Sequence, residues 1–340
     1  MDDGFPARLT RLSRRLLDPA RGPVRAFEHA LREVSEFLSP LPQLSDGLAR
    51  PAGSMREVAA FGANPGALGM SLYVPAVPPR PGAPLLVLLH GCGQDAGGFA
   101  LASGFMGLAD RIGAPLLLPE QRAENNRGRC FNWFEPADIR RGGGEAASIR
   151  QMVAEALRQF QGEPERVFVA GLSAGGAMAA ALLAAYPDVF AAGAVVAGLP
   201  VGVATDVSSA LARMQRAGPE PRAALAELAA PARAGGISWP RWPRLSVWHG
   251  SADHAVAPDN SDALVAQWTA LLGLPVEPDQ EQEVAPGVRR RAWGQAVEQW
   301  RLTGFGHAFP ARLPGADPFV LPAPVAATEA ISRFWGLTRA

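Results

Sequence analysis

The sequence predicts an α/β fold in which helices flank a mostly parallel central sheet. Short apolar runs of strand length recur along the chain, and segments with apolar residues at helical spacing lie between them. The chain has 340 residues, of which 48% are hydrophobic. That is enough to bury one large core, so a single main domain is expected.

The apolar runs are continuous rather than alternating, which is typical of strands buried on both faces of a sheet. The predicted central strands are Leu85–Leu89, Pro115–Leu118, Val167–Ala170, Ala192–Ala197 and Leu245–Trp248. Two segments ahead of them, Met55–Phe61 and Met70–Val74, are interpreted as paired edge strands. The predicted helices of this region are Phe99–Arg111, Ala146–Phe160, Ala174–Ala185, Ser261–Leu272 and Ala326–Trp335.

Two regions fall outside this alternation. Residues 1–54 are interpreted as an N-terminal helical extension to a catalytic domain at 55–340, because residues 7–38 carry apolar stripes at helical spacing. Such helices would pack on the core or a partner subunit, or dock on a lipid or polymer surface. Residues 204–244 form a helical insertion with a Trp/Pro cluster at 239–243, either part of a lid or a surface-packed excursion.

Composition excludes several functions. Basic and acidic residues balance at 32 each, so no basic footprint for nucleic acid exists. The sequence contains no lysine, which excludes Schiff-base chemistry, Ser–Lys dyads and P-loop phosphate binding. No cysteine or histidine spacing suggests a metal site. No apolar stretch is long enough for a transmembrane helix, and the N-terminus does not resemble a secretory signal.

The strongest chemical motif is Gly-Leu-Ser-Ala-Gly at residues 171–175. It follows an apolar strand and opens a helix, which is the strand–turn–helix setting of a nucleophile elbow. Small residues are needed there because strand and helix approach closely, while the turn exposes the hydroxyl of Ser173 at a helix N-terminus. The pattern predicts an α/β-hydrolase fold with Ser173 as nucleophile.

A serine hydroxyl needs a base, and the base needs an orienting acid, in the chain order Ser, Asp or Glu, then His. His307 lies in a glycine-flanked loop after a strand-like segment and is the predicted base. Asp253 follows the last central strand and is the predicted acid, with Asp206 as its competitor. His249 is interpreted as structural, and His254 stands too close to Asp253 to share its carboxylate easily.

The oxyanion hole is predicted to combine the backbone N–H of Ala174 with that of Cys92, in a loop that His90 stabilises. Trp133 and Phe134 are candidates for an apolar wall beside the acyl chain, or are ordinary core aromatics, and Gln94 is a further candidate for substrate contact. The two cysteines, Cys92 and Cys130, form one disulfide or remain two buried thiols.

Several segments together resemble one family, the short-chain poly(3-hydroxyalkanoate) depolymerase-type esterases, which are similar to feruloyl and acetylxylan esterases. The resemblance covers roughly residues 55–337 and rests on residues 88–94, 130–134, 171–178, 186–192, 249–253 and 306–308. It implies Ser173, Asp253 and His307 as the triad, a Cys92–Cys130 disulfide, and no metal or cofactor.

The resemblance implies a serine esterase that acts on short hydroxyacyl polyesters or their oligomers, with feruloyl or acetylxylan esters as the alternative. A non-catalytic polymer-binding protein would show a broken triad, whereas all the parts are present here. Exported members of the family suggest a secreted or periplasmic location, although the chain shows neither an export signal nor a separate polymer-binding module. Homo-oligomers or surface docking through the N-terminal helices are further expectations.

Overall fold

The computed structural model describes residues 51–218, 222–239, 241–313 and 317–339. The helices predicted within residues 7–38 lie outside these ranges, so the division into an extension at 1–54 and a catalytic domain stays a prediction. The described residues form the predicted α/β arrangement, with a large sheet and helices on both of its faces.

Within the described ranges, ten strands build the main sheet, and two short strands form a separate pair. The strands are β1 Ser54–Glu57, β2 Gly69–Val74, β3 Leu85–Leu89, β4 Leu116–Glu120, β5 Val167–Leu172, β6 Ala192–Val196, β7 Arg244–Gly250, β8 Gln280–Ala285, β9 Val288–Trp293, β10 Val297–Leu302, β11 Phe309–Ala311 and β12 Val320–Pro322. The order across the main sheet is β1-β2-β4-β3-β5-β6-β7-β10-β9-β8.

The strands from β4 to β10 in this order run parallel, and the pairs at both edges run antiparallel. From β3 the chain first crosses to β4 on one side and later to β5 on the other. A reversal of this kind leaves a crevice beyond the carboxyl ends of the strands, where ligands of open α/β sheets bind. Ser173 follows β5 directly and therefore lies at this crevice.

Nine helices lie in the part of the chain that the structure describes. They are α1 Ala96–Ala102, α2 Phe105–Ile112, α3 Pro136–Ile139, α4 Gly144–Phe160, α5 Ala174–Ala185, α6 Val207–Gln215, α7 Arg222–Ala234, α8 Asp259–Leu272 and α9 Ala327–Phe334. The prediction of a single helix at Phe99–Arg111 is wrong. Two helices lie there, because Gly104 adopts a left-handed φ of 83° and separates α1 from α2. None of the described helices combines the length and apolar character needed to span a bilayer.

Burial on both faces of the sheet explains the continuous apolar runs. In β3, Leu85, Val87 and Leu89 join the core cluster on one face, whereas Leu86 and Leu88 join the cluster on the other. All five β3 side chains are buried. The α5 helix is buried along its whole length, so it carries no polar face, which explains why the region after Ser173 is the most apolar of the chain.

The edge strands differ from the sequence interpretation. The first strand ends at Glu57 rather than at Phe61, and the β8–β9 hairpin was not predicted. Every β8 residue before Ala285 is exposed, so this strand lacks the apolar signal on which the prediction relied. In the insertion at 204–244, the helices α6 and α7 are present as predicted.

Candidate active site

Ser173 occupies a sharp turn between β5 and α5, with φ 56° and ψ −119°. Positive φ is unusual for a residue with a side chain, and neighbouring glycines make the turn possible. A Cβ on Gly171 would lie 2.2 Å from the carbonyl oxygen of Gly175. A Cβ on Gly175 would lie 2.4 Å from the carbonyl oxygen of Leu89. The glycines of the motif are therefore required by backbone contacts.

The three predicted triad side chains meet beyond the carboxyl ends of the strands. His307 Nε2 lies 2.9 Å from Ser173 Oγ, and His307 Nδ1 lies 2.8 Å from Asp253 Oδ2. Asp253 is on the loop that follows β7, and His307 is on the loop that follows β10. Since β7 and β10 are parallel neighbours, the two loops leave the sheet side by side. With Nδ1 protonated, His307 presents the lone pair of Nε2 to the serine hydroxyl.

Asp253 is buried, and four hydrogen bonds saturate its carboxylate. Its Oδ1 accepts from the backbone N–H groups of Ala255 and Val256, and its Oδ2 accepts from His307 and from His249 Nε2 at 3.1 Å. Burial alone would raise the pKa of Asp253, but the two histidines outweigh it and hold the pKa well below its usual range. The carboxylate therefore stays ionised beside the imidazole of His307.

The two predicted oxyanion donors are the backbone N–H groups of Ala174, directly after the serine, and of Cys92. Among the described residues, no acceptor is found for the backbone N–H of Ala174 or of Cys92. The loop that carries Cys92 is close to the elbow, because a Cβ on Gly91 would lie 3.6 Å from the Cβ of Ser173. Free N–H groups beside a serine nucleophile are suited to receive negative charge from a carbonyl oxygen.

Gln94 anchors this loop through both ends of its side-chain amide. Its Oε1 accepts from the N–H of Gly91 at 2.6 Å, and its Nε2 donates to Asp317 Oδ2 at 2.7 Å. Burial raises the pKa of Asp317. The predicted substrate contact of Gln94 stays a prediction, because the hydrogen bonds that Gln94 makes point to a positioning role.

His90 anchors the same loop from the other side. Its Nδ1 faces the carbonyl oxygen of Gly91 at 2.7 Å, and its Nε2 accepts from the N–H of Gln121 at 3.1 Å. These contacts require one proton, on Nδ1, so the ring is neutral. Complete burial lowers the pKa of His90 to about 4, which agrees with that state.

A disulfide joins Cys92 to Cys130, as the resemblance implies. It ties the loop beside the serine to the segment that carries Phe131, Trp133 and Phe134. Buried Glu145 holds the same segment, since its Oε2 accepts from the N–H of Asn132 at 2.9 Å. Its Oε1 accepts from Gln121 Nε2, and burial raises the pKa of Glu145 to about 8.

The proposed apolar wall is largely buried. Trp133 and Phe134 pack edge to face with their ring centroids 5.6 Å apart, and each exposes less than a tenth of its surface. Their contact with an acyl chain stays a prediction.

The two residues that competed with the predicted triad lie elsewhere. Asp206, the alternative acid, is exposed and caps the N-terminus of α6, and His254 is exposed on the loop after Asp253.

Sequence reasoning missed the polar groups that support the site. His249 was interpreted as structural, whereas the structure places it directly on Asp253. Asp317 was not singled out, because 223 positions separate it from Gln94 and no local pattern links the two. Glu145 stands at the start of α4, where an acidic residue is typical of a helix N-terminus and gives no sign of burial.

Comparison with known proteins gives one family match and several relatives. The family described as esterase PHB depolymerase matches residues 68–280. Poly(3-hydroxyalkanoate) depolymerase C of Paucimonas lemoignei is 39% identical over 299 residues, which cover 84% of this chain and 70% of that protein. The probable acetylxylan esterase A of Aspergillus clavatus is 30% identical over 82% of this chain and 92% of that protein.

A solved structure shows the same fold. The acetyl xylan esterase from Aspergillus awamori superposes with a TM-score of 0.71 and 25% sequence identity. The match covers 84% of this chain and 100% of that one.

Proposed function

The chain belongs to the esterase PHB depolymerase family and is a carboxylic ester hydrolase, and we propose that short-chain hydroxyalkanoate polyesters or their oligomers are its substrates. The proposal includes Ser173, His307 and Asp253 as the catalytic triad. The observation that supports it most directly is the continuous hydrogen-bonded line from Ser173 Oγ through the imidazole of His307 to the carboxylate of Asp253.

The geometry supports a two-step acyl transfer. His307 Nε2 takes the hydroxyl proton as Ser173 Oγ bonds to the ester carbonyl carbon, and the N–H groups of Ala174 and Cys92 receive the negative oxygen. The imidazolium then protonates the leaving alcohol, which leaves an acyl-serine. Water attacks this acyl group, gives its proton to His307 and releases the acid as Ser173 recovers its own proton. Asp253 stays ionised throughout and stabilises the imidazolium.

Two relatives support different ester classes. The hydroxyalkanoate proposal is supported by the 39% identical Paucimonas depolymerase. The second candidate, an acetylxylan or feruloyl esterase, is supported by the Aspergillus relative and by the superposed acetyl xylan esterase, which the chain covers completely. The same triad serves all these esters, so the pocket beside the acyl chain decides between them.

The catalytic assignment is tested with a small ester and a covalent probe. Ser173→Ala should lower kcat for p-nitrophenyl butyrate by at least about 10⁴-fold, since the attacking atom is removed. A fluorophosphonate should label the parent protein at Ser173 and leave the variant unlabelled. Ser208→Ala, at an exposed serine of α6, is the matched control and should retain activity. Substantial hydrolysis by a folded Ser173→Ala protein contradicts the assignment.

The substrate class needs a second measurement. Purified protein is given hydroxybutyrate trimer, acetylated xylan and a feruloylated sugar at equal ester concentration, and the released acids are quantified. Hydroxybutyrate release with the largest kcat/KM supports the proposal. A preference for acetyl or feruloyl release supports the second candidate instead.

A further inference from the structure

The Trp/Pro cluster of the sequence forms an open pocket that the proposed reaction does not use. The cavity has a volume of about 480 Å³ and lies where the chain leaves α7 and approaches β7. We call it the Trp–Arg pocket, and its principal lining side chains are Arg233, Ile237, Trp239, Arg241 and Trp242.

Aromatic faces and a cation are arranged together in this pocket. The indoles of Trp239 and Trp242 pack edge to face with their centroids 5.5 Å apart and an interplanar angle of 74°. The guanidinium carbon of Arg233 lies 5.1 Å from the Trp239 ring and 5.9 Å from the Trp242 ring. Contact with ring faces holds the guanidinium in place and leaves its N–H groups available.

The positive charge of the pocket is not neutralised within the described chain. Arg233 and Arg241 are both exposed, and neither forms an ion pair or a hydrogen bond with another described residue. Ile237 is also exposed, by 38% of its surface. A guanidinium with free N–H groups beside apolar surface suits a carboxylate that carries an apolar chain, because the carboxylate can accept two parallel N–H bonds.

The pocket lies near the amino end of β7, whereas Ser173 lies beyond the carboxyl ends of the strands. Trp242 comes two residues before β7 begins, and Asp253 comes three residues after β7 ends. The seven residues of β7 rise by about 3.3 Å each, so roughly 20 Å separate the two ends. The indole N–H of Trp268 in α8 donates to the carbonyl oxygen of Pro243 at 3.0 Å and fixes the entry to this strand.

We propose that the Trp–Arg pocket is a second binding site, which takes an organic carboxylate with an apolar body, such as the acid end of an ester oligomer. Arg233 binds the carboxylate, and Trp239, Trp242 and Ile237 contact the chain. The choice of ligand rests on the proposed function, because hydrolysis of a hydroxyalkanoate ester generates such acid ends. A bound end would keep an oligomer on the enzyme without occupying the site at Ser173.

The test observes the indole N–H resonances of isotope-labelled, full-length Ser173→Ala protein. The sequence has eight tryptophans, and the additional substitutions Trp239→Phe and Trp242→Phe assign the two resonances that matter. Hydroxybutyrate trimer acid should shift both resonances saturably, whereas its methyl ester should leave them in place. If monomeric hydroxybutyrate shifts them equally, the pocket takes the free acid. If only the trimer does, the pocket takes an oligomer end.

The matched pair of variants is Arg233→Gln and Arg111→Gln, which both remove one exposed guanidinium. Arg233→Gln should weaken the response to the acid by about tenfold or more, and Arg111→Gln should not. When Ser173 is left intact, both variants should hydrolyse p-nitrophenyl butyrate at the same rate as the parent protein. An equal response to acid and methyl ester, or an unchanged response in Arg233→Gln, overturns the proposal. Failure of the proposed function would appear separately, as absence of ester hydrolysis by the parent chain.

Discussion

The imidazole Nε2 of His249 lies 3.1 Å from Oδ2 of Asp253, the oxygen that also faces His307. The same Nε2 lies 3.0 Å from the carbonyl oxygen of Val256. Both neighbours are acceptors, so Nε2 carries the proton, and the buried Nδ1 has no partner among the described residues. His249 therefore restrains the carboxylate as a donor through Nε2 and acts through Asp253.

We expect His249→Phe to lower kcat by about tenfold or more, because one charge-assisted hydrogen bond to Asp253 is lost. KM should change little, since His249 is buried beneath Asp253 and has no surface to offer a substrate. His249→Gln retains a side-chain N–H and should recover part of the rate. His254→Phe, an exposed histidine of the same loop, is the control. A parent-like kcat in a folded His249→Phe protein contradicts the positioning role.

Gln94→Ala should also reduce kcat with little effect on KM. The substitution leaves the N–H of Gly91 without its acceptor and frees the loop that carries the Cys92 N–H. Since loss of one oxyanion donor costs about 10²- to 10³-fold, a loosened loop should cost about tenfold. Asp317→Asn removes the charged acceptor of Gln94 and should act in the same direction. Steady-state kinetics on p-nitrophenyl butyrate measure both, with exposed Gln280→Ala as the unaffected control.

Removal of the disulfide should destabilise the fold. The bond closes a loop of 38 positions, for which the chain-entropy relation gives about 4 kcal/mol. We expect the double variant Cys92→Ser and Cys130→Ser to lose free energy of unfolding of this order in urea titrations. Dithiothreitol should lower the free energy of unfolding of the parent protein and leave that of the double variant unchanged. If the reductant lowers the free energy of unfolding of both proteins equally, it does not act through this bond.

His90 predicts a specific acid sensitivity. The unfolded chain binds a proton on this imidazole near its ordinary pKa of 6.5, whereas burial lowers the folded pKa to about 4. The unfolded state thus binds more protons between these values, so stability decreases as the pH falls from 6.5 towards 4. The contribution is about 3 kcal/mol at its full extent.

Urea titrations at pH 7 and pH 4 measure this sensitivity. His90→Gln has no titrating ring and should lose less free energy of unfolding over that interval than the parent protein. If His90→Gln loses as much free energy of unfolding between pH 7 and pH 4 as the parent protein, other groups cause the acid sensitivity. His254→Gln, which changes an exposed histidine, should behave as the parent.

The sequence predicted the parts of the molecule that have a local signal. The central strands were visible because each is buried on both faces, and the elbow was visible because Gly171 and Gly175 are sterically required. The side chains of Ser173, Asp253 and His307 do meet, as the chain order of the fold implies. The hairpin β8–β9 was missed because its outer strand is exposed on both faces.

The supporting contacts had no such signal. Gln94 and Asp317 are distant in sequence, and each is an ordinary polar residue in its own loop. His249 follows an apolar strand, and only the fold of the next loop turns Asp253 back towards it. The break at Gly104 was also missed, since the apolar spacing continues across it and only the backbone conformation interrupts the helix.

The position of β10 between β7 and β9 has a consequence for biosynthesis. His307 follows this strand and comes 134 positions after Ser173, so the base leaves the ribosome well after the serine and the strands from β1 to β7. On the proposed mechanism, a nascent chain that already has its elbow should not hydrolyse esters until β10 has docked against β7. Appearance of activity during translation or refolding would then report completion of the sheet rather than formation of its first half.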